Sequence, residues 1–173
     1  PAVHWIFEFG GEDISPSLDV RPSGSPPPPP TASSHHPSPR GRLPVDRRPL
    51  AELAGDLLPY QRLIANGLSS IMVAHVLFPE LDEAPASFSR RWIQQELRWN
   101  LGFTGAVFSD DLSMGGASFA GTLPERARRA LAAGCDVLAV CNDRDAVLAV
   151  LEELAGESDP LSQVRLARLH GRP

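Results

Sequence analysis

The sequence contains no lysine: all 16 of its basic residues are arginine. A phosphate-binding P-loop needs a lysine on the β/γ-phosphates, and a Schiff-base enzyme needs one as nucleophile, so both chemistries are excluded. Cysteine is scarce, with two in 173 residues. Cys135 and Cys141, in "AGCDVLAVCN", fit no zinc spacing and are too few for a disulfide framework. They read as small buried residues flanking a strand, with reduced thiols that fit a cytoplasm. No run reaches the roughly 18 apolar residues of a membrane span. The first residues, "PAVHWIFEFGGED", lack a methionine, a basic region and a small-residue cleavage site. They read as the start of a fragment, not as a signal peptide. An excess of positive charge is missing as well: the formal net charge is −5, which disfavours a nucleic-acid partner.

Proline, by contrast, is in excess, with 18 residues against a usual share of roughly 5%. Ten of them lie between Ser15 and Pro44, five in succession at 26–30. Each removes a backbone donor, and the run favours a polyproline II rod. The flanking Ser, His and Arg residues bury too little surface to offset the entropy of ordering the chain. Residues 1–42 are therefore expected to be a Pro-rich, disordered or non-homologous segment. A linker is the better reading here than a ligand of SH3-type domains. Arg40, Arg42, Arg47 and Arg48 read as a solvated stretch.

Residues 43–173 are patterned differently. "PLAELAGDLLPYQRLIANG" has helical apolar spacing, interrupted at Pro59 and stopped at Gly67. "SSIMVAH" is a short buried strand. "SFSRRWIQQELRWNLG" offers Ser87 or Ser89 as N-cap and Gly102 as stop. "GAVFSDD" is the next strand, and "LPERARRALAAG" a helix with Pro124 in its first turn. "DVLAVCN" is a third strand, and "DRDAVLAVLEELAG" a helix capped by Asn142 or Asp143. Alternation of this kind gives an α/β fold with a parallel sheet covered by helices. Three strands make either a small open sheet or part of a (β/α)8 barrel.

In both arrangements ligands meet the C-terminal ends of the strands. His75, the pair Asp110–Asp111, and Asn142 with Asp143 fall at those ends. Successive side chains of a strand point to opposite faces. Asp110 therefore lies with Phe108, and Asp111 with Val107 and Ser109. Adjacent acids cannot form a two-carboxylate glycosidase site by themselves, because that needs carboxyls about 5 Å or more apart. One acid acts and the other orients a loop or caps a helix; parity does not say which. Two acids after a strand also suggest the Mg²⁺ corner of a phospho-receiver domain, but that site needs a lysine.

The run "LDEAPASFSRRWIQQELRWNLGFTGAVFSDDLSMGGA", preceded by "IMVAHVLFPELD" and followed by "AGCDVLAVCND", resembles the bacterial β-N-acetylhexosaminidases of glycoside hydrolase family 3. The similarity extends from about residue 43 to 155. The resemblance implies a (β/α)8 barrel of which these are the last three βα units. It implies retaining removal of terminal β-linked N-acetylglucosamine, acting on N-acetylglucosaminides and muropeptide fragments in cytoplasmic peptidoglycan recycling, with no cofactor or metal. The first acid of the S-D-D segment, Asp110, would be the nucleophile, and His75, Asp111 and Met114 would line or brace the pocket. The chain departs from the family before Leu43. There the family carries K-H-F-P-G-H-G and then D-S-H, whose last His is the acid/base. Family spacing puts that position on Arg40 and its partner on Ser38, with His35 and His36 out of register. Arginine cannot shuttle a proton near neutral pH. An inactive truncated or frameshifted remnant, or a sugar-binding module without turnover, are the alternatives.

Overall fold

The computed structural model describes residues 6–7, 43–141 and 143–170. The Pro-rich stretch with His35, His36, Ser38 and Arg40, and also Asn142, lie outside the described residues.

Among the described residues four parallel strands form one sheet in the order β1-β4-β3-β2. They are β1 (Ile6–Phe7), β2 (Ser70–Val73), β3 (Ala106–Asp111) and β4 (Val137–Ala139). The three strands expected from the apolar runs are present. The two-residue β1, which pairs Ile6 with Leu138 and Phe7 with Ala139, was not foreseen. Among the described residues four α-helices accompany the sheet: α1 (Ala54–Ala65), α2 (Leu123–Ala133), α3 (Arg144–Glu153) and α4 (Pro160–Ala167). A further helix, Arg91–Asn100, is wound in the wider π register, its end closed by the Leu101 N–H on the Glu96 carbonyl at 2.9 Å.

Local chemistry accounts for most of the boundaries. Gly67 and Gly102 follow their helices with φ of 85° and 71°, and Gly134 ends α2 with φ 116°, a conformation that costs L side chains energy. Glu125 accepts the Thr122 N–H at 2.7 Å at the start of α2, and Asp143 caps α3 through the Ala146 N–H at 2.9 Å. The expected choice between Ser87 and Ser89 resolves to Ser89, which accepts the Trp92 N–H at 3.0 Å. Pro59 does not interrupt its helix: α1 runs through it. The proline removes a bond to the Gly55 carbonyl, but both residues are exposed, so water satisfies that carbonyl. Helix α4 was not anticipated; its Asp159 accepts the Leu161 N–H at 3.0 Å ahead of Pro160.

The core lies on one face of the sheet. Val107, Leu138 and Val140 pack there with Ile93, Leu97 and Phe103 and with the alanines of α2, Ala127, Ala130 and Ala133. Each large apolar side chain buried in this way contributes roughly 1.5–3 kcal/mol. On the opposite face Ala106 and Val137 meet Leu166 of α4, while Phe108 is half-buried and Met72, its register partner on β2, is 56% exposed. Beneath the strands, buried Asp136 ties the layers together. It receives Arg98 Nη2 at 2.7 Å and the Val107 N–H at 2.8 Å on one oxygen, and Arg165 Nη1 at 2.8 Å and Ser162 Oγ at 2.5 Å on the other. Cys135 is buried and Cys141 half-buried. Burial, with Asp136 alongside, pushes the Cys135 thiol up to about 12. Among the described residues no helix is long and apolar enough to cross a membrane.

Candidate functional site

The site is built where β2 and β3 end. Their ladder closes at Val73↔Ser109, so His75 and Asp111 are each two residues further on. β3 departs from regular pairing there. Phe108 is opposite Val137, yet Asp111 is opposite Ala139, three residues answering two. Such a bulge re-aims side chains at the end of a strand.

The irregular stretch is held by side chains in place of ladder bonds. Ser109 Oγ accepts the Ala139 N–H at 3.0 Å, and Asp111 Oδ1 accepts the Cys141 N–H, also at 3.0 Å. Asp111 Oδ1 also accepts the Ser113 N–H at 2.9 Å, and Ser113 Oγ lies 2.7 Å from both Asp111 oxygens. This carboxylate fastens β3 to β4 and closes the turn that follows.

Asp110 is held differently. Its Oδ1 accepts the Asp111 N–H at 2.8 Å and its Oδ2 accepts the His75 N–H at 3.2 Å. Each oxygen thus takes one backbone donor, which fixes the plane of the carboxylate. The group is half-buried and shares its parity with Phe108 and the face that carries exposed Met72. Asp111 is half-buried too, so the two acids differ in what holds them and not in exposure.

His75 is only 3% exposed. Its ring contacts Ser87 Oγ through Nδ1 at 2.5 Å and the Asp111 carbonyl through Nε2 at 3.0 Å, and it stacks on Phe88 with centroids 5.3 Å apart. The structure thus brings His75, Asp110 and Asp111 together. Met114 stands one turn beyond, its N–H on the Asp111 carbonyl at 3.1 Å and its side chain exposed. Asp143 serves as the cap of α3.

Two participants were not singled out from the sequence. Ser87 was weighed only as a helix cap. Arg126 donates to the Leu112 carbonyl and the Gly121 carbonyl, both at 2.8 Å, and so pins the loop after the acids to α2. An arginine on an amphipathic helix carries no mark of such a task, and only the fold reveals it. A cleft of about 460 Å³ lies at the N-terminal end of the strands, beside Asp136 and Ser162. Another of about 290 Å³ lies against α1 and β2, lined by Tyr60, Met72 and Trp92 among others. Neither is lined by His75, Asp110 or Asp111. Among the described residues no group of three or more His, Cys, Asp or Glu is placed to hold a metal ion.

Residues 33–169 match the glycosyl hydrolase family 3 N terminal domain. A beta-hexosaminidase of Thioalkalivibrio sulfidiphilus is 53% identical over 130 residues, which cover 75% of this chain and 38% of that protein. One from Thiobacillus denitrificans is 51% identical over 132 residues, 76% of this chain and 37% of the relative. Among solved structures, NagZ from Neisseria gonorrhoeae in complex with N-trifluoroacetyl-D-glucosamine superposes with a TM-score of 0.67 at 41% identity, over 73% of this chain and 37% of that one. A glycoside hydrolase family 3 beta-N-acetylglucosaminidase from Paenibacillus gives 0.66 at 31% identity, over 74% and 26%. The chain thus spans less than two fifths of the length of these relatives.

Proposed function

The chain belongs to glycoside hydrolase family 3, and on that premise we propose that it is part of a retaining β-N-acetylhexosaminidase with Asp110 as the nucleophile. Residues 43–173 are then the C-terminal part of a (β/α)8 barrel domain, about its last three βα units; of the residues before them, Ile6–Phe7 add a strand to the same sheet and the family match begins at residue 33. The substrates are N-acetylglucosaminides, muropeptide fragments among them, and the setting is peptidoglycan recycling in the cytoplasm. The observation that carries the assignment is the unequal engagement of the two acids. Asp111 is spent on Ser113 and Cys141, whereas Asp110 is aimed by two backbone N–H groups. His75, Asp111 and Met114 shape the wall around it.

In this reading an Asp110 oxygen attacks the anomeric carbon, the bond to the aglycone oxygen breaks, and a glycosyl ester forms that water hydrolyses. The aglycone oxygen needs a proton as it leaves. The acid/base position of the family falls on Arg40, and arginine does not give up a proton near neutral pH. An aglycone that leaves as a stable anion does not need one. The chain should therefore release dinitrophenolate from a dinitrophenyl N-acetyl-β-glucosaminide in a burst and accumulate the glycosyl ester, detectable by mass on the peptide containing Asp110. Asp110→Ala should lose both signals. No burst and no adduct would remove the nucleophile assignment. The Arg40 position also favours a second reading, an inactive remnant or a sugar-binding module. Saturable binding of N-acetylglucosamine without burst or adduct selects the binding module, and neither binding nor burst selects the remnant.

A further inference from the structure

The ring of His75 is held from two sides, and the partners select the tautomer of its neutral form. A backbone carbonyl can only accept a hydrogen bond, so the 3.0 Å contact with the Asp111 carbonyl places a hydrogen on His75 Nε2. In the neutral ring Nδ1 then carries a lone pair, and the Ser87 hydroxyl 2.5 Å away is its donor. Ser87 is fully buried, which keeps water from taking its place. The ring cannot swing aside, because it lies flat on Phe88 with planes 2° apart, and Phe119 meets Phe88 edge-on at 5.6 Å. The backbone of the same histidine donates to Asp110 Oδ2 at 3.2 Å.

We infer that Ser87 and His75 form a positioning dyad: the Ser87 hydroxyl and the Asp111 carbonyl lock the ring as its Nε2–H tautomer, and the locked ring holds the His75 amide on the Asp110 carboxylate. Neither residue exchanges a proton with substrate. The dyad aims the acid by joining the loop after β2 to the end of β3. Its catalytic meaning rests on Asp110 being the nucleophile, but its geometry does not.

The test is nuclear magnetic resonance on the full chain with ¹⁵N-labelled histidine. His75→Gln assigns the signals among the five histidines. Long-range ¹H–¹⁵N correlations should show a single neutral tautomer for His75, protonated at Nε2 and bare at Nδ1. A protonated Nδ1, or two tautomers in rapid average as in free histidine, would overturn the inference. Asp110→Asn marks where the His75 amide resonance moves when its charged acceptor is lost. Ser87→Ala should move that amide in the same direction and broaden or average the ring signals. A Ser87→Ala chain whose His75 amide stays at its wild-type position would refute the coupling. If Ser87→Ala does not fold, Ser87→Cys, with a weaker donor in nearly the same space, replaces it with the same two criteria. The two readings fail separately. A locked ring in a chain that forms no glycosyl ester removes the nucleophile and leaves the dyad. An averaging ring in a chain that forms the ester removes the dyad and leaves the nucleophile.

Discussion

If Asp111 is a fastener, its removal should cost stability in an amount set by the donors it satisfies. The Ser113 N–H and hydroxyl, at 2.9 and 2.7 Å from Oδ1, are exposed, so water replaces the carboxylate for them at little net cost. The Cys141 N–H, at 3.0 Å, is half-buried beside the sheet. A hydrogen bond to a charged acceptor contributes roughly 1.5–3 kcal/mol, and loosening of the turn after β3 adds a few tenths. Asp111→Ala should therefore destabilise the chain by about 2–3 kcal/mol, while Asp111→Asn, which keeps an oxygen at the Oδ1 position, should cost about 1 kcal/mol or less. Urea unfolding followed by the fluorescence of the three tryptophans reads both values, with the m-value unchanged because the exposed surface is the same. For a domain of this size the alanine variant should melt roughly 6–12 °C lower. An alanine variant within about 0.5 kcal/mol of wild type would refute the fastener. An asparagine variant as damaged as the alanine one would refute the hydrogen-bond reasoning and assign the effect to charge.

Asp136→Ala removes a buried carboxylate that engages Arg98 and Arg165, whose side chains are only 10% and 18% exposed. Burial already pulls the Arg98 pKa below its ordinary value, so losing the counter-charge should cost about 3–5 kcal/mol in the same unfolding assay, and a loss under about 1 kcal/mol would contradict the network's role. At the start of α2, hydrogen bonds from the Thr122 N–H and hydroxyl hold the Glu125 carboxyl below its ordinary value of 4.5. A depressed acid stabilises the fold above its unfolded pKa and loses that contribution as the pH falls through the folded value. The stability difference between wild type and Glu125→Gln should therefore shrink from pH 6 to pH 3; a difference that widens on acidification would show the opposite linkage.

Strand and helix alternation was legible because each element carries its own period and punctuation, as "SIMV" and "AVFS" do before their polar ends and Gly67, Gly102 and Gly134 do after their helices. The elements that escaped lack that local signature or carry one easily passed over. Ile6–Phe7 is too short to show any period, and it exists as a strand only beside Leu138 and Ala139. The Asp-Pro start of α4 is a capping signal, but the helix is held by Arg165 and Ser162 on Asp136, a contact between distant parts of the chain. Pro59 misled because helix propensity assumes that the lost bond matters, and where the freed Gly55 carbonyl is exposed to water it does not. Ser87 and Ser89 were equivalent as caps in sequence. Proximity separates them: Ser89 meets the Trp92 N–H and Ser87 meets His75.

The same limit explains why strand parity narrowed the acid pair to one without choosing it. Parity assumes a regular ladder, and here the ladder breaks between Phe108 and Asp111. Where β3 gains its extra residue, the N–H groups of Ala139 and Cys141 need other acceptors. Ser109 Oγ and Asp111 Oδ1 supply them, two residues apart on the same parity. A bulge therefore converts the odd positions into lattice for β4 and leaves the even one, Asp110, facing away. Its carboxylate is then gripped from the other flank by the His75 amide. On the proposed assignment the choice between the acids lies in this division of labour: Asp111 is committed to the strand end, and Asp110 makes no bond to β4. Removing the need for repair is the sharpest way to see it. A β3 shortened by one residue at the bulge would restore the ladder, release Asp111 from Cys141, and turn the acid pair through one position of the pleat.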